Sequence, residues 1–222
     1  MSKEYTRLVS IVGEIPFANQ IVFHDDFEHT LQWTKGGGVG DSIFELSPNI
    51  SKHGNQSLHL KTRTTGAAQS DAINAERFMH LRPSKLLNLI YNFYSPNLTK
   101  AVQINLYFTF ADGTNAHESS IRFNPNAPDW QYMPQGKSFT TIAGSELALN
   151  NLAWHQAILR VNFATQKYLT LQVDHLLFDL SALSYHISTS GAGLYLGTKI
   201  EIVTVDASPA ELYIDDVTLH EI

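Results

Sequence analysis

Between Trp154 and Ser181 the apolar residues fall at every second position: Leu159, Val161 and Phe163, then Leu169, Leu171 and Val173 after a polar break at Ala164 to Lys167. Arg160, Asn162, Tyr168, Thr170 and Gln172 occupy the positions between them. A period of two on both sides of a short break predicts an antiparallel hairpin with one buried face. Asp174-His175 then turns the chain into a third run, Leu176 to Leu180, and the whole stretch predicts a β-meander.

The same alternation recurs along the chain. It is cleanest at Gln103 to Phe110, where Ile104, Leu106, Phe108 and Phe110 form one face and Gln103, Asn105, Tyr107 and Thr109 the other. Ser120 to Asn124 repeats it, with Ile121 and Phe123 inward and Arg122 outward. Leu87, Leu89, Tyr91 and Phe93 mark another strand, and Leu58 and Leu60 another. Ala72 to Met79 reads as a strand despite helix-favouring residues at its centre. The glycine run at Gly36 to Gly40 lacks the Lys-Ser/Thr of a phosphate-binding loop and reads as a turn. About a dozen short strands and no amphipathic helix predict an all-β sandwich or barrel. Residues 1–20 read as an N-terminal arm or lead-in strand and 21–222 as one domain; Pro83 reads as a break.

Composition narrows the function. Hydrophobic residues make up 43% of the 222 and charged residues 16%, as in a globular protein. The net charge of −6 and the lack of any Lys/Arg run speak against nucleic acid as a partner. No apolar run is long enough to cross a bilayer, and no signal peptide is evident in the first residues. Without cysteine there is no disulfide, thiol chemistry or Cys-based zinc site. Neither Gly-x-Ser-x-Gly nor His-Glu-x-x-His is present. The pattern leaves the oligomeric state open.

Three segments carry a resemblance: Ser119 to Phe123 followed by Trp130 to Tyr132; Trp154-His155 with Lys167-Tyr168 and Phe178 to Leu180; and Leu212 to Leu219. Together they resemble the concanavalin A-like lectin/glucanase superfamily, including laminin G-like domains. Asp25 to Glu28, His53 to Leu58 and Ile214 to Val217 also resemble jelly-roll carbohydrate-binding modules. The resemblance implies a jelly-roll sandwich of two antiparallel sheets. It further implies that the first and last strands adjoin and share a structural calcium ion. Asp26, Glu28, Asn55 and Asp216 are the candidate ligands, hard oxygen donors of the kind calcium collects. The competing reading of the same residues is solvated strand ends.

The chain departs from these relatives at the hairpin turns, where Thr165 to Lys167 and Asp174-His175 lack glycine. The paired carboxylates of the superfamily's glucanases are also missing.

The polar face of the central strands is the candidate binding surface. Sugars need flat aromatic rings for their apolar faces and amides or Arg for their hydroxyls. Asn105, Tyr107, Arg122, Asn124, Trp130 and Tyr132 supply those groups. The favoured function is non-catalytic binding of an oligo- or polysaccharide on a concave sheet face. A hydrolase or lyase of the same superfamily, recruiting Arg122, Tyr107 and His155, is the first alternative. A protein-interaction sandwich without a small ligand is the second.

Overall fold

The computed structural model describes residues 21–80, 86–98, 102–146 and 149–222. The expected arm over residues 1–20 and the break at Pro83 lie outside the described residues. Sixteen strands follow in chain order, and among the described residues there is no helix, so none that could cross a membrane. They are β1 (Ile21–Asp25), β2 (Thr34–Gly37), β3 (Ile43–Ser47), β4 (Ser57–Lys61), β5 (Ala72–Met79), β6 (Leu86–Tyr94), β7 (Val102–Asp112) and β8 (Asn115–Asn124). The second half adds β9 (Asp129–Tyr132), β10 (Thr140–Thr141), β11 (Trp154–Asn162), β12 (Lys167–Val173), β13 (Leu176–Asp179), β14 (His186–Thr189), β15 (Leu194–Thr204) and β16 (Glu211–Glu221).

The strands form two antiparallel eight-stranded sheets. The first runs β13-β12-β11-β6-β16-β4-β3, with β1 also on β16; the second runs β10-β9-β8-β7-β15-β5-β2, with β14 on β8. This is the expected jelly-roll sandwich, and β11 to β13 form the expected meander. The first and last strands do pair, Phe23 with Leu219 and Asp25 with Val217.

Period two explains which side chains meet between the sheets. Leu87, Leu89, Tyr91 and Phe93 of β6 face Ile104, Leu106 and Phe108 of β7 and Ile200 and Ile202 of β15 within one core, each at most 1% exposed. Burying a side chain of this size is worth about 1.5–3 kcal/mol, so the alternation itself fixes which way each strand faces. Across the core the Tyr91 hydroxyl meets Thr198 Oγ1, one hydrogen bond between the sheets.

Two expectations needed revision. The glycine run is only partly a loop: Gly36 and Gly37 pair with Asn74 and Ile73 as part of edge strand β2. β14 was not foreseen at all. Both are short strands on a sheet margin, without the alternating apolar residues that mark a strand packed on a core.

The glycine-free turns hold left-handed backbone by other means. Asp174 sits at φ 52 and Gln166 at φ 57. Asp174 Oδ1 accepts the Gln156 N–H at 2.9 Å, and Oδ2 accepts His155 Nδ1–H at 2.8 Å. His155 Nε2 lies 2.9 Å from the Asn150 carbonyl.

Burial lowers the His155 pKa, but the Asp174 carboxylate and the Asn150 carbonyl outweigh it and leave it raised. Burial likewise raises Asp174, and the His155 and Gln156 hydrogen bonds outweigh it and leave it lowered. The His155 contribution is therefore complete below the unfolded value of about 6.5 and is lost as pH rises through the raised folded value. The Asp174 contribution is present above about 3.9 and is lost as pH falls. Stability from this pair should peak between those limits. The gap between wild type and His155→Asn in thermal melts should be largest, by about 1–2 kcal/mol, near pH 6 and should narrow as pH rises. A gap of the same size at every pH would contradict the assignment.

Candidate functional site

The face of the second sheet turned away from the core carries its polar positions in register across the strands. One row reads Glu118, Thr109, Gly197 and Phe78 across β8, β7, β15 and β5. The next reads Ser120, Tyr107, Lys199 and Glu76. A third reads Gln131, Arg122, Asn105, Glu201 and Asn74, beginning on β9. The first two rows border a cleft of about 350 Å³, closed on one side by Met133 and Lys137.

Gly197 shapes the cleft floor. A Cβ there would lie 2.8 Å from the Phe78 ring, so only glycine lets that ring lie across the sheet. Phe78 remains 56% exposed and meets Tyr195 edge-on, with 5.6 Å between ring centroids. It is an open aromatic surface in a polar setting.

Tyr107 is fixed on both sides. Its hydroxyl donates to Glu201 Oε2 at 3.0 Å, and Lys199 Nζ lies 3.9 Å above its ring centroid. Burial, followed by the Glu201 charge and hydrogen bond, pushes the phenol well above its ordinary range. Asn105 donates to the same Glu201 oxygen at 2.8 Å. Arg122 gives its Nε–H and one Nη–H to Gln131 Oε1 and stacks on Phe139 at 4.1 Å. Burial lowers the Arg122 pKa, against the pull of the nearby Tyr107 and Asp129.

Asn105, Tyr107 and Arg122 thus share this face as expected, although Asn105 is only 3% exposed beneath its neighbours. Asn124 lies on the same side of β8 at its far end, where its side chain caps the turn at Asn126.

Trp130 and Tyr132 do not belong to this face. Trp130 is fully buried between Phe93 and Phe123, and Tyr132 packs edge-on against Tyr168. On β9 it is Asp129 and Gln131 that share the face with Arg122. The sequence reading also passed over Phe78, Tyr195, Gly197, Lys199 and Glu201. One signal for Phe78 was present: in Ala72–Met79 it alternates with Ile73 and Ala75, which places an aromatic among Asn74 and Glu76.

Of the acidic residues picked out near the first and last strands, Glu28 and Asp216 both bind the turn at residues 52–56. Glu28 Oε1 accepts the N–H groups of Asn55 at 2.6 Å and Gln56 at 2.9 Å, and Oε2 accepts the Asn55 side-chain amide at 3.1 Å. Gly54, at φ +70, has no room for a Cβ, which would sit 2.2 Å from Glu28 Oε1. Asp26 accepts the Glu28 N–H at 3.2 Å. Asp216, at φ 48 in a bulge of β16, holds His53 Nδ1 through Oδ2. Its Oδ1 is buried with no hydrogen-bond partner. Neighbouring Asp215 accepts the N–H groups of Lys52 and His53, and burial, with the Asp216 charge, pushes its pKa up to about 7.

The donors here, two carboxylates on one turn with a spare buried oxygen, are of the chemistry calcium takes. Among the described residues no three His, Asp or Glu side chains converge, so backbone carbonyls and water would have to complete a shell.

No protein-family model matches this chain, and no curated protein sequence does either. Solved structures do. An endo-β-1,4-glucuronan lyase from the fungus Trichoderma reesei superposes with a TM-score of 0.61 at 12% identity, covering 91% of this chain and 96% of the lyase. A Bacillus subtilis protein of unknown function with a galectin-like fold gives 0.57 at 11% identity, covering 90% and 95%. The carbohydrate recognition domain of Emp46p, in a potassium-bound form, gives 0.50 at 10% identity, covering 85% and 88%. The fold this chain shares with them is a jelly-roll sandwich of two antiparallel sheets. At these identities the likeness speaks to the fold alone.

Proposed function

We propose that the protein binds a polysaccharide chain in the cleft on the open face of the second sheet, without cleaving it. The observation that carries this reading is Phe78, an exposed ring laid over Gly197 beside in-register rows of hydroxyl, amide and charged groups. Apolar ring faces of sugars stack on such a surface while the surrounding groups take the hydroxyls. The carbohydrate proteins among the structural neighbours are in keeping with it.

The non-catalytic part rests on Tyr107. A phenol that holds its proton tightly and already donates it in a hydrogen bond to Glu201 is a poor base for elimination. Retention on a panel of immobilised polysaccharides, with assay for reducing ends and unsaturated products, tests both parts. Retention without product is the expected result; product release would convert the reading to an enzyme.

We further propose that a structural calcium ion is held at the 52–56 turn by Glu28 and Asp216, with Asp26 and Asn55 orienting the turn. Calcium would satisfy the lone Asp216 Oδ1 and ease the repulsion between Asp215 and Asp216. Binding only the folded state at about 100 times its Kd adds about 2.7 kcal/mol. For a chain this long that is a rise of about 5–10 °C in Tm on adding calcium, reversed by chelator. An unchanged midpoint in Asp216→Asn together with a shifted one in wild type would support the site. No shift in either would dismiss it.

A further inference from the structure

The charges in the cleft are unequally engaged. Lys199 is occupied: its Nζ lies over the Tyr107 ring and 3.6 Å from Glu201 Oε1. Glu201 also holds Tyr107 and Asn105. Glu76 on β5 and Glu118 on β8, by contrast, make no hydrogen bond or ion pair among the described residues. They stand on opposite sides of the floor formed by Thr109 and Gly197, with the open Phe78 ring on β5 at the far end of the row from Glu118 and two residues from Glu76. The remaining cation, Lys137, closes one side of the cleft and is a single positive charge against the two carboxylates. Carboxylates held at a half-enclosed surface concentrate cations and repel anions. An exposed aromatic ring beside them favours a cationic group as well.

Resting on the reading of the cleft as a polysaccharide site, we infer that its ligand carries protonated amino groups, as a glucosamine-type polymer does. The pyranose stacks on Phe78 and its ammonium groups reach Glu76 or Glu118 in charge-assisted hydrogen bonds. A polyuronate would set its own carboxylates against these two and is disfavoured in the same cleft.

Titration calorimetry with three oligosaccharides of equal length tests this: a β-1,4-glucosamine oligomer, its N-acetylated counterpart and an oligoglucuronate. The measurement belongs at about pH 5.5, between the ordinary ranges of carboxylic acids and amines. The amino oligomer should bind about tenfold tighter than the N-acetylated one, and its affinity should fall as salt is raised. The double variant Glu76→Gln/Glu118→Gln should lose that preference, binding the amino and N-acetylated oligomers alike, while keeping its melting temperature. If the N-acetylated or glucuronate oligomer binds as well as the amino form, and Phe78→Ala abolishes it, the inference on charge is wrong and the cleft reading stands. If none of the three binds, or binding ignores Phe78→Ala, the cleft reading itself fails and takes the inference with it.

Discussion

Phe78→Ala should weaken polysaccharide binding by about 30-fold or more, while leaving the fold intact. The reasoning starts from exposure. With 56% of its surface open, Phe78 contributes little burial to the core, so its loss should cost no more than about 0.5–1 kcal/mol of stability. In a binding site the same ring is the largest flat apolar surface in the cleft. Truncating a central aromatic anchor typically costs 2 kcal/mol or more, which is a factor of about 30. Phe78→Leu keeps apolar area without a flat face and should fall between the two. Gly197→Ala, which adds one methyl against the ring, should displace Phe78 and weaken binding by crowding alone. Calorimetry with any retained polysaccharide, paired with thermal melts, checks all three. Unchanged affinity in Phe78→Ala would remove the central support for the proposed site.

The second large effect concerns stability. Tyr168→Phe, the loss of one oxygen atom, should lower stability by about 2–3 kcal/mol. β8 pairs with β14 through residues 115–118 and with β9 through residues 121–124; between them the Ser120 carbonyl accepts the Met133 N–H at 2.9 Å, but the Ser120 N–H has no backbone acceptor. The Tyr168 hydroxyl fills that gap from the other sheet. It accepts the Ser120 N–H at 2.9 Å and lies 3.0 Å from the carbonyls of both Ser120 and Met133. Tyr168 is fully buried, so phenylalanine would strand the Ser120 N–H away from water. A buried donor left unsatisfied costs about 1–3 kcal/mol, beyond the lost bond itself. The melting temperature should fall by about 5–10 °C, with faster hydrogen exchange at the Ser120 amide. Equal melting curves would mean that another group satisfies that amide.

Much of the architecture was legible because burial enforces alternation. Ile104, Leu106 and Phe108 could face only one way once that side was the core, and Asn105, Tyr107 and Arg122 followed to the other. The four residues of β9 were harder. Asp129-Trp-Gln-Tyr132 alternates two aromatics with two polar residues, and aromatic rings suit both a core and a sugar site. Register decides it: Trp130 pairs with Phe123, and Gln131 with Arg122. That pairing is not written in the local sequence. Phe78 was legible as an aromatic on a polar face, yet its importance depends on Gly197, more than a hundred positions away and adjacent only through the β5–β15 ladder. The meeting of Glu28 with the 52–56 turn is equally non-local; it came from resemblance, and spacing alone would not have suggested it.

The place of β16 has a consequence for how the molecule is made. It binds β6 along one edge, and β4 and β1 along the other, so it is the seam between the two halves of the first sheet. A ribosome delivers it after all fifteen other strands. Until it emerges, the β13-to-β6 portion and the β4–β3 hairpin lie side by side without a shared ladder, their greasy faces uncovered. Completion of the first sheet must then wait until β16 has left the ribosome, and the nascent chain is a natural client for chaperones that shield such faces.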